Sequence, residues 1–212
     1  VDKLQGGVLT SFNDFITYNL NTPKIAYDFL NCTDDKKFIE VFYEELRKVT
    51  ILDPTCGSGA FLFAALNLLE PLYEVCISRM EEFNVQDPNA FKEQLTEIKN
   101  KYRSNIQYFI YKSIILRNLY GVDIMAEAVE IAKLRLFLKM VAVVEVDKRA
   151  DNMGLDPLPD VDFNIRCGNT LIGYTSEKEL YRDLDNASDL LQQLANQELK
   201  ERLEKQLKDV AD

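Results

Sequence analysis

The sequence predicts an α/β fold, with parallel strands in one sheet and helices between them. Three observations predict it. Short apolar runs end in turn-forming residues at Val49–Pro54, Tyr120–Ile124 and Phe163–Cys167, as buried strands do. Segments with helical spacing of apolar residues lie between those runs. The resulting order, strand, helix, strand, helix, strand, is that of a parallel sheet. Right-handed crossovers then bring the carboxyl ends of the strands to one edge, where ligands bind in open α/β sheets.

Taken in order, Pro23 suits the first turn of a helix with Thr22 as its N-cap. Ile25, Ala26, Phe29 and Leu30 give that helix an apolar stripe. A second helix is expected over about residues 35–47, with Phe38, Val41, Phe42 and Leu46 turned inward. After the first strand, Ala60 to about Met80 reads as a helix that Pro71 kinks or divides. Asp87-Pro88-Asn89 is a start signal for a helix to about Tyr102, and Ile106 to Arg117 reads as another. Ala126 to Met140 is rich in Ala, Leu and Glu and has no internal breaker. Gly154, Pro157 and Pro159 mark a loop over 147–161, and from Ser176 onward the chain reads as one or two amphipathic helices.

The chain has 212 residues, 47% of them hydrophobic, enough for one domain with a genuine core. No run reaches the roughly 20 apolar residues that span a bilayer, and the start has no signal-peptide shape, so no membrane partner is expected. The absence of histidine argues against a zinc site and excludes a Ser-His-Asp triad. Cys32, Cys56, Cys76 and Cys167 form no Cys-x-x-Cys pair and read as reduced thiols of a cytoplasmic protein. The net charge is −10. A chain that grips DNA by itself usually shows a basic surface, because neutralised phosphates supply most of the affinity. Either basic residues cluster locally, or DNA is held by a part of the protein outside these residues.

The first strand closes on Asp53, and Gly57-Ser58-Gly59 opens the following helix. Glycines there permit positive φ and let a ligand approach bare backbone. The unpaired N–H groups of the helix start suit a carboxylate or phosphate. No Gly-Lys-Ser/Thr follows, so this is not a P-loop. Leu62 stands where the dinucleotide fingerprint needs its third glycine. Ser58 either caps the helix or meets a ligand, and the cap is favoured.

The full run Asp53-Pro54-Thr55-Cys56-Gly57-Ser58-Gly59-Ala60-Phe61-Leu62 resembles the S-adenosylmethionine loop of adenine-specific DNA methyltransferases, in particular restriction-modification enzymes of the Type I and Type IIG kinds. The resemblance implies a partial Rossmann-like methyltransferase fold, with S-adenosyl-L-methionine meeting Asp53, Pro54, Thr55, Gly57, Gly59 and Phe61. Three further elements follow the family's order. Asp123, in Gly121-Val122-Asp123-Ile124, would bind ribose, while Ile124 would pack on the adenine ring. Asn169, in Gly168-Asn169-Thr170-Leu171, would reach the cofactor's adenine amine through its carbonyl oxygen. Thr22 and Pro23 match the element that touches the methionine end, although Asn21 stands where the group often has tyrosine. The usual gap between the loop and the ribose carboxylate is about 20 residues, so about 80–117 reads as a helical insertion, which related long enzymes also carry.

The resemblance thus places a cofactor-binding core at 1–175, with that insertion, and an amphipathic tail at 176–212. It implies transfer of a methyl group to the exocyclic amine of adenine, in restriction-modification or phage defence. The partner is double-stranded DNA in the full-length protein, with room for further domains or subunits. The family's Asn/Asp-Pro-Pro-aromatic run, which holds the flipped base, is missing, since no Pro-Pro occurs in the 212 residues. No catalytic residue is therefore assigned here, and the chain is expected to be part of a longer protein, to bind cofactor weakly or not at all, and not to methylate alone. Two alternatives stay open: the same fold acting on RNA or a protein amine, and a non-catalytic helical interaction module.

Overall fold

The computed structural model describes residues 19–102, 105–145, 159–172 and 176–185. Helix α1, Thr22–Cys32, starts one residue earlier than expected. Its N-cap is Asn21, whose side chain accepts from Lys24 N at 3.1 Å, so Thr22 is the first helical residue and Pro23 still lies in the first turn. Both Asn and Thr cap well, and the proline fits either register. Helix α2, Lys36–Lys48, is capped by Asp35 and buries Ile39, Tyr43 and Leu46. Of the expected inward face, Leu46 is buried and Phe42 is partly buried against the core, while the stripe is centred on Ile39 and Tyr43. Phe38 and Val41 are exposed, and Phe38 meets Phe29 edge-on with ring centroids 5.1 Å apart. Tyr43, in the middle of the true stripe, stacks edge-on against Tyr73 at 5.9 Å.

Strand β1, Ile51–Asp53, leads through the loop into α3, Ala60–Gln86, which passes through Pro71 without dividing. The proline leaves the carbonyl of Asn67 without its helical donor, and Asn67 is exposed, so water can satisfy it. Leu62, Leu66, Leu69, Tyr73, Cys76 and Met80 line its buried side. The helix is long and apolar enough to cross a membrane by length and composition, which the sequence reading did not register. Here it is the central helix, packed by α1 and α2.

Asp87 ends α3 rather than starting the next helix. Its carbonyl accepts from Ala90 N and its side chain from Asn89 N, and Phe91 adopts φ +54 before α4, Lys92–Tyr102, begins. Helix α5, Ile106–Ser113, continues into a π-helical segment, Ile114–Asn118, and then strand β2, Leu119–Asp123. The expected insertion, about 80–117, falls on the end of α3, on α4, on α5 and on most of the π-helical segment. Helix α6, Ala126–Val141, precedes β3, Ile165–Cys167. The loop expected at 147–161 lies mostly outside the described residues.

The three strands are parallel, in the order β1-β2-β3, with Asp53 opposite Gly121 and Asp123 opposite Cys167. The described residues up to Thr170 therefore form an α/β unit around a small parallel sheet. Leu119 and Ile165 are buried on the helical side, whereas Leu52 is 59% exposed on the other. Two buried asparagines fix the irregular π-helical segment. Asn118 Nδ2 donates to Leu46 O at 2.8 Å and Val49 O at 2.6 Å, and its Oδ1 accepts from Tyr73 OH at 2.9 Å. Asn164 Nδ2 reaches the carbonyls of Ile115, Leu116 and Leu119. A π-helical segment frees carbonyls from the regular ladder, and buried carbonyls need partners.

By its internal contacts the chain divides into two units, Val1–Thr170 and Leu171–Asp212. The first holds the sheet. In the second, α7 spans Glu177–Asp185, and the rest of the expected tail lies outside the described residues.

Candidate functional site

The carboxyl ends of the three strands carry most of the residues singled out from sequence. Asp53 ends β1, and its Oδ1 accepts from Thr55 N at 3.1 Å, which starts the turn through Pro54. Cys56 N donates to Val122 O at 2.9 Å, pinning the loop to β2. Gly57 N donates to Asp123 Oδ2 at 2.8 Å, and Gly59 N closes back on Cys56 O at 2.8 Å. Both glycines sit at positive φ, +50 and +81. The loop thus needs glycine at two positions for its own conformation.

The two glycines differ in what lies around them. A Cβ on Gly59 would come 3.1 Å from Ala132 Cβ on α6, so Gly59 is a packing position. A Cβ on Gly57 would meet nothing within 4 Å. Gly57 therefore presents bare backbone to open space. Gly59 is also the N-cap of α3, with no side chain capping it. Ser58 does not cap the helix, against expectation; its carbonyl and hydroxyl face Arg135 Nη1 at 2.8 and 3.3 Å. The first N–H groups of α3 therefore have no side-chain acceptor at the cap, the arrangement that favours an anionic group.

Asp123 is the hub. One carboxylate oxygen takes Gly57 N, and the other takes Met125 N at 2.9 Å. The Met125 amide first, and the Gly57 amide second, hold its carboxyl below the usual carboxylate range against a small opposing effect of burial. The expected ribose role did not anticipate this structural work. Each carboxylate oxygen has a second lone pair left for a ligand. Between Asp123 and Asp53 lies Cys56, whose thiol is pushed up by burial and then by the two carboxylates. It remains a protonated thiol packed against Gly121, where a Cβ would come 3.1 Å from its Sγ.

The third strand end joins the same constellation. Gly168 N donates to Asp123 O at 2.9 Å, and Thr170 Oγ1 donates to Pro54 O at 3.1 Å. Asn169 lies between these two anchors and is exposed. Phe61, in the first turn of α3, and Ile124, just past β2, are exposed apolar side chains at 56% and 70%. The structure therefore brings Asp53, Pro54, Thr55, Gly57, Gly59, Asp123 and Asn169 to one edge, with Phe61 and Ile124 flanking. Thr22 and Pro23 lie in the first turn of α1, and among the described residues no hydrogen bond joins them to the loop. Sequence reasoning gave no role to Arg135, nor to Thr170 and Gly121 within the motifs that hold them. Only Gly121 left a signal, since a lone glycine inside a strand marks a close approach.

Residues 29–177 match the family described as MmeI, DNA-methyltransferase domain. The chain is 38% identical over 147 residues to a protein of Methanocaldococcus jannaschii whose name is that of a type II restriction enzyme and methyltransferase. It is 27% identical over 150 residues to DNA methyltransferase A of Bacillus subtilis. These matches take in 68% and 70% of the chain but 10% and 15% of the two relatives, so the chain spans a small part of their length. No solved structure gives a significant match.

Proposed function

This chain belongs to the MmeI DNA-methyltransferase family, and from that premise we propose that its strand ends hold S-adenosyl-L-methionine for methylation of the exocyclic amine of adenine in DNA. The observation that carries the cofactor reading is the closure of the glycine loop on Asp123 beneath open space at Gly57. A Cβ at Gly57 would fill the room that a ligand on bare backbone requires. The donor set suits this cofactor. The first amides of α3 suit the methionine carboxylate. Asp123 keeps lone pairs for ribose hydroxyls, Ile124 and Phe61 offer apolar surface to the purine, and Asn169 offers an amide to its edge. The parallel sheet with its site at the strand ends supports a Rossmann-like core.

When bound, S-adenosyl-L-methionine supplies a methyl group on a positively charged sulfonium. The part of this chain in the reaction is to bind and orient. Asp53 and the Gly57–Gly59 backbone set the position of the methionine end, and Asp123 sets that of the nucleoside end. Thr22 and Pro23 remain candidates for the methionine end through the packing of α1 on α3. In this reading, base recognition and the chemical step draw on residues of the whole protein beyond those assigned here, and the setting is restriction-modification in the cytoplasm.

The test is nucleoside mass spectrometry of unmethylated DNA incubated with S-adenosyl-L-methionine and the full-length protein that carries this chain. N6-methyladenine is expected, and its loss with Asp123→Ala. Methylation of cytosine alone, or of RNA or protein but not DNA, would overturn the substrate reading.

A further inference from the structure

The glycine loop owes its shape to groups outside itself. Two residues at positive φ flank Ser58, and glycine loses more freedom on ordering than any other residue. On the sheet side, Val122 O and Asp123 fix the amides of Cys56 and Gly57. On the outer side the loop is held by Arg135, 77 residues away on α6, whose Nη1 donates to Ser58 O at 2.8 Å and lies 3.3 Å from Ser58 Oγ. The guanidinium lies over the ring of Phe63 at 4.6 Å, which fixes its plane. One turn earlier on the same face, Ala132 underlies Gly59.

We propose that Arg135 is a positioning residue for the site. It holds the Ser58 carbonyl so that Gly57 and Gly59 stay in their left-handed conformations with the loop open to ligand. It also couples the two halves of the site, because α6 starts three residues after Asp123. One guanidinium nitrogen, Nη1, reaches both the carbonyl and the hydroxyl while the guanidinium lies over an aromatic ring; a lysine ammonium can keep a bond to Ser58 but has no plane to lay on Phe63. The assignment rests on the cofactor reading for what the loop receives. The clamp itself rests on contacts within the chain.

The experiment compares the wild-type 212-residue chain with Arg135→Ala and Arg135→Lys. Amide exchange is followed by NMR at Gly57, Gly59 and Gly121, together with the affinity for S-adenosyl-L-methionine. The Gly121 amide donates to Asn164 O within the sheet, bonded to neither Ser58 nor Arg135, and serves as the internal reference. With Arg135→Ala, exchange at Gly57 and Gly59 should rise about tenfold and affinity fall about tenfold, the lower range for a hydrogen bond to a charged group. Gly121 should not change, and Arg135→Lys should recover part of both losses. Unchanged exchange at Gly57 and Gly59 overturns the proposal. So does an equal rise at Gly121, which would make Arg135 merely structural. If Arg135→Ala loosens only the two glycines while the full-length protein that carries this chain takes up no S-adenosyl-L-methionine, the clamp stands and the cofactor reading falls.

Discussion

Replacing Gly57 and Gly59 by alanine, one at a time, separates what the loop needs for folding from what it keeps open. Both residues have positive φ, +50 and +81, where an alanine costs about 1–2 kcal/mol. At Gly57 that is the whole structural penalty, because the new Cβ meets nothing within 4 Å. At Gly59 the Cβ also comes 3.1 Å from Ala132 Cβ and 3.5 Å from its Cα, and overpacking of this kind adds about 1–3 kcal/mol. Each kcal/mol moves the Tm of a chain of this size by about 2–4 °C. Gly57→Ala should therefore lower Tm by roughly 2–8 °C, and Gly59→Ala by about twice as much. Affinity should reverse the order. A methyl group in the space above Gly57 is expected to weaken S-adenosyl-L-methionine by about tenfold or more, or 1.4 kcal/mol upward. Gly59→Ala, measured well below its Tm, should keep most of the binding. Calorimetry supplies both numbers, with differential scanning for Tm and titration for affinity. Unchanged affinity in Gly57→Ala would put the ligand elsewhere. A Tm for Gly59→Ala no lower than that for Gly57→Ala would refute the packing argument.

Asp123→Asn tests the charge at the hub. The folded carboxyl lies below its ordinary value of 3.8, so its contribution is present above the unfolded pKa and is lost as pH falls through the folded one. Protection of the Gly57 amide should be steady above about pH 5 and drop below about pH 4 in the wild type; a similar drop in Asp123→Asn would remove Asp123 as its cause. Asn118→Ala leaves the carbonyls of Leu46 and Val49 and the hydroxyl of Tyr73 without their partner. At about 1–3 kcal/mol for each of the two buried groups, Leu46 O and Tyr73 OH, urea unfolding should show a loss of roughly 2–6 kcal/mol, and a loss under about 1 would contradict the clip. In a thiol titration of the folded chain, exposed Cys32 and Cys167 should react fast. Cys56 and Cys76, the latter pushed up to about 12 by burial, should react only on unfolding, and fast modification of Cys76 would contradict its place in the core.

The parts of the site that sequence revealed are those whose chemistry is contiguous. Asp123 closes a strand and the glycine loop and Asn169 each follow one, and turn-forming residues advertise a strand end. What it hid depends on contacts distant in the chain. Arg135 and Ser58 are 77 residues apart, and an arginine in a helix looks like any solvated charge. Asn118 and Asn164 sit at the edges of apolar runs, where nothing local says that they satisfy the carbonyls around a π-helical segment. In α2 two apolar stripes overlap, one through Phe38, Val41 and Phe42 and one through Ile39 and Tyr43, and Leu46 continues either. Periodicity alone does not choose between them. The edge-on fit of Tyr43 against Tyr73 on α3 does.

The most direct measurement is an NMR titration of the isotope-labelled chain with S-adenosyl-L-methionine, carried to millimolar ligand so that weak binding registers. Saturable shifts are predicted at Gly57, Gly59, Phe61, Asp123, Ile124 and Asn169, with competition by S-adenosylhomocysteine. Saturable shifts confined to another surface, such as the cavity lined by Tyr27, Glu74 and Gln107, would contradict the assignment of the strand ends as the cofactor site.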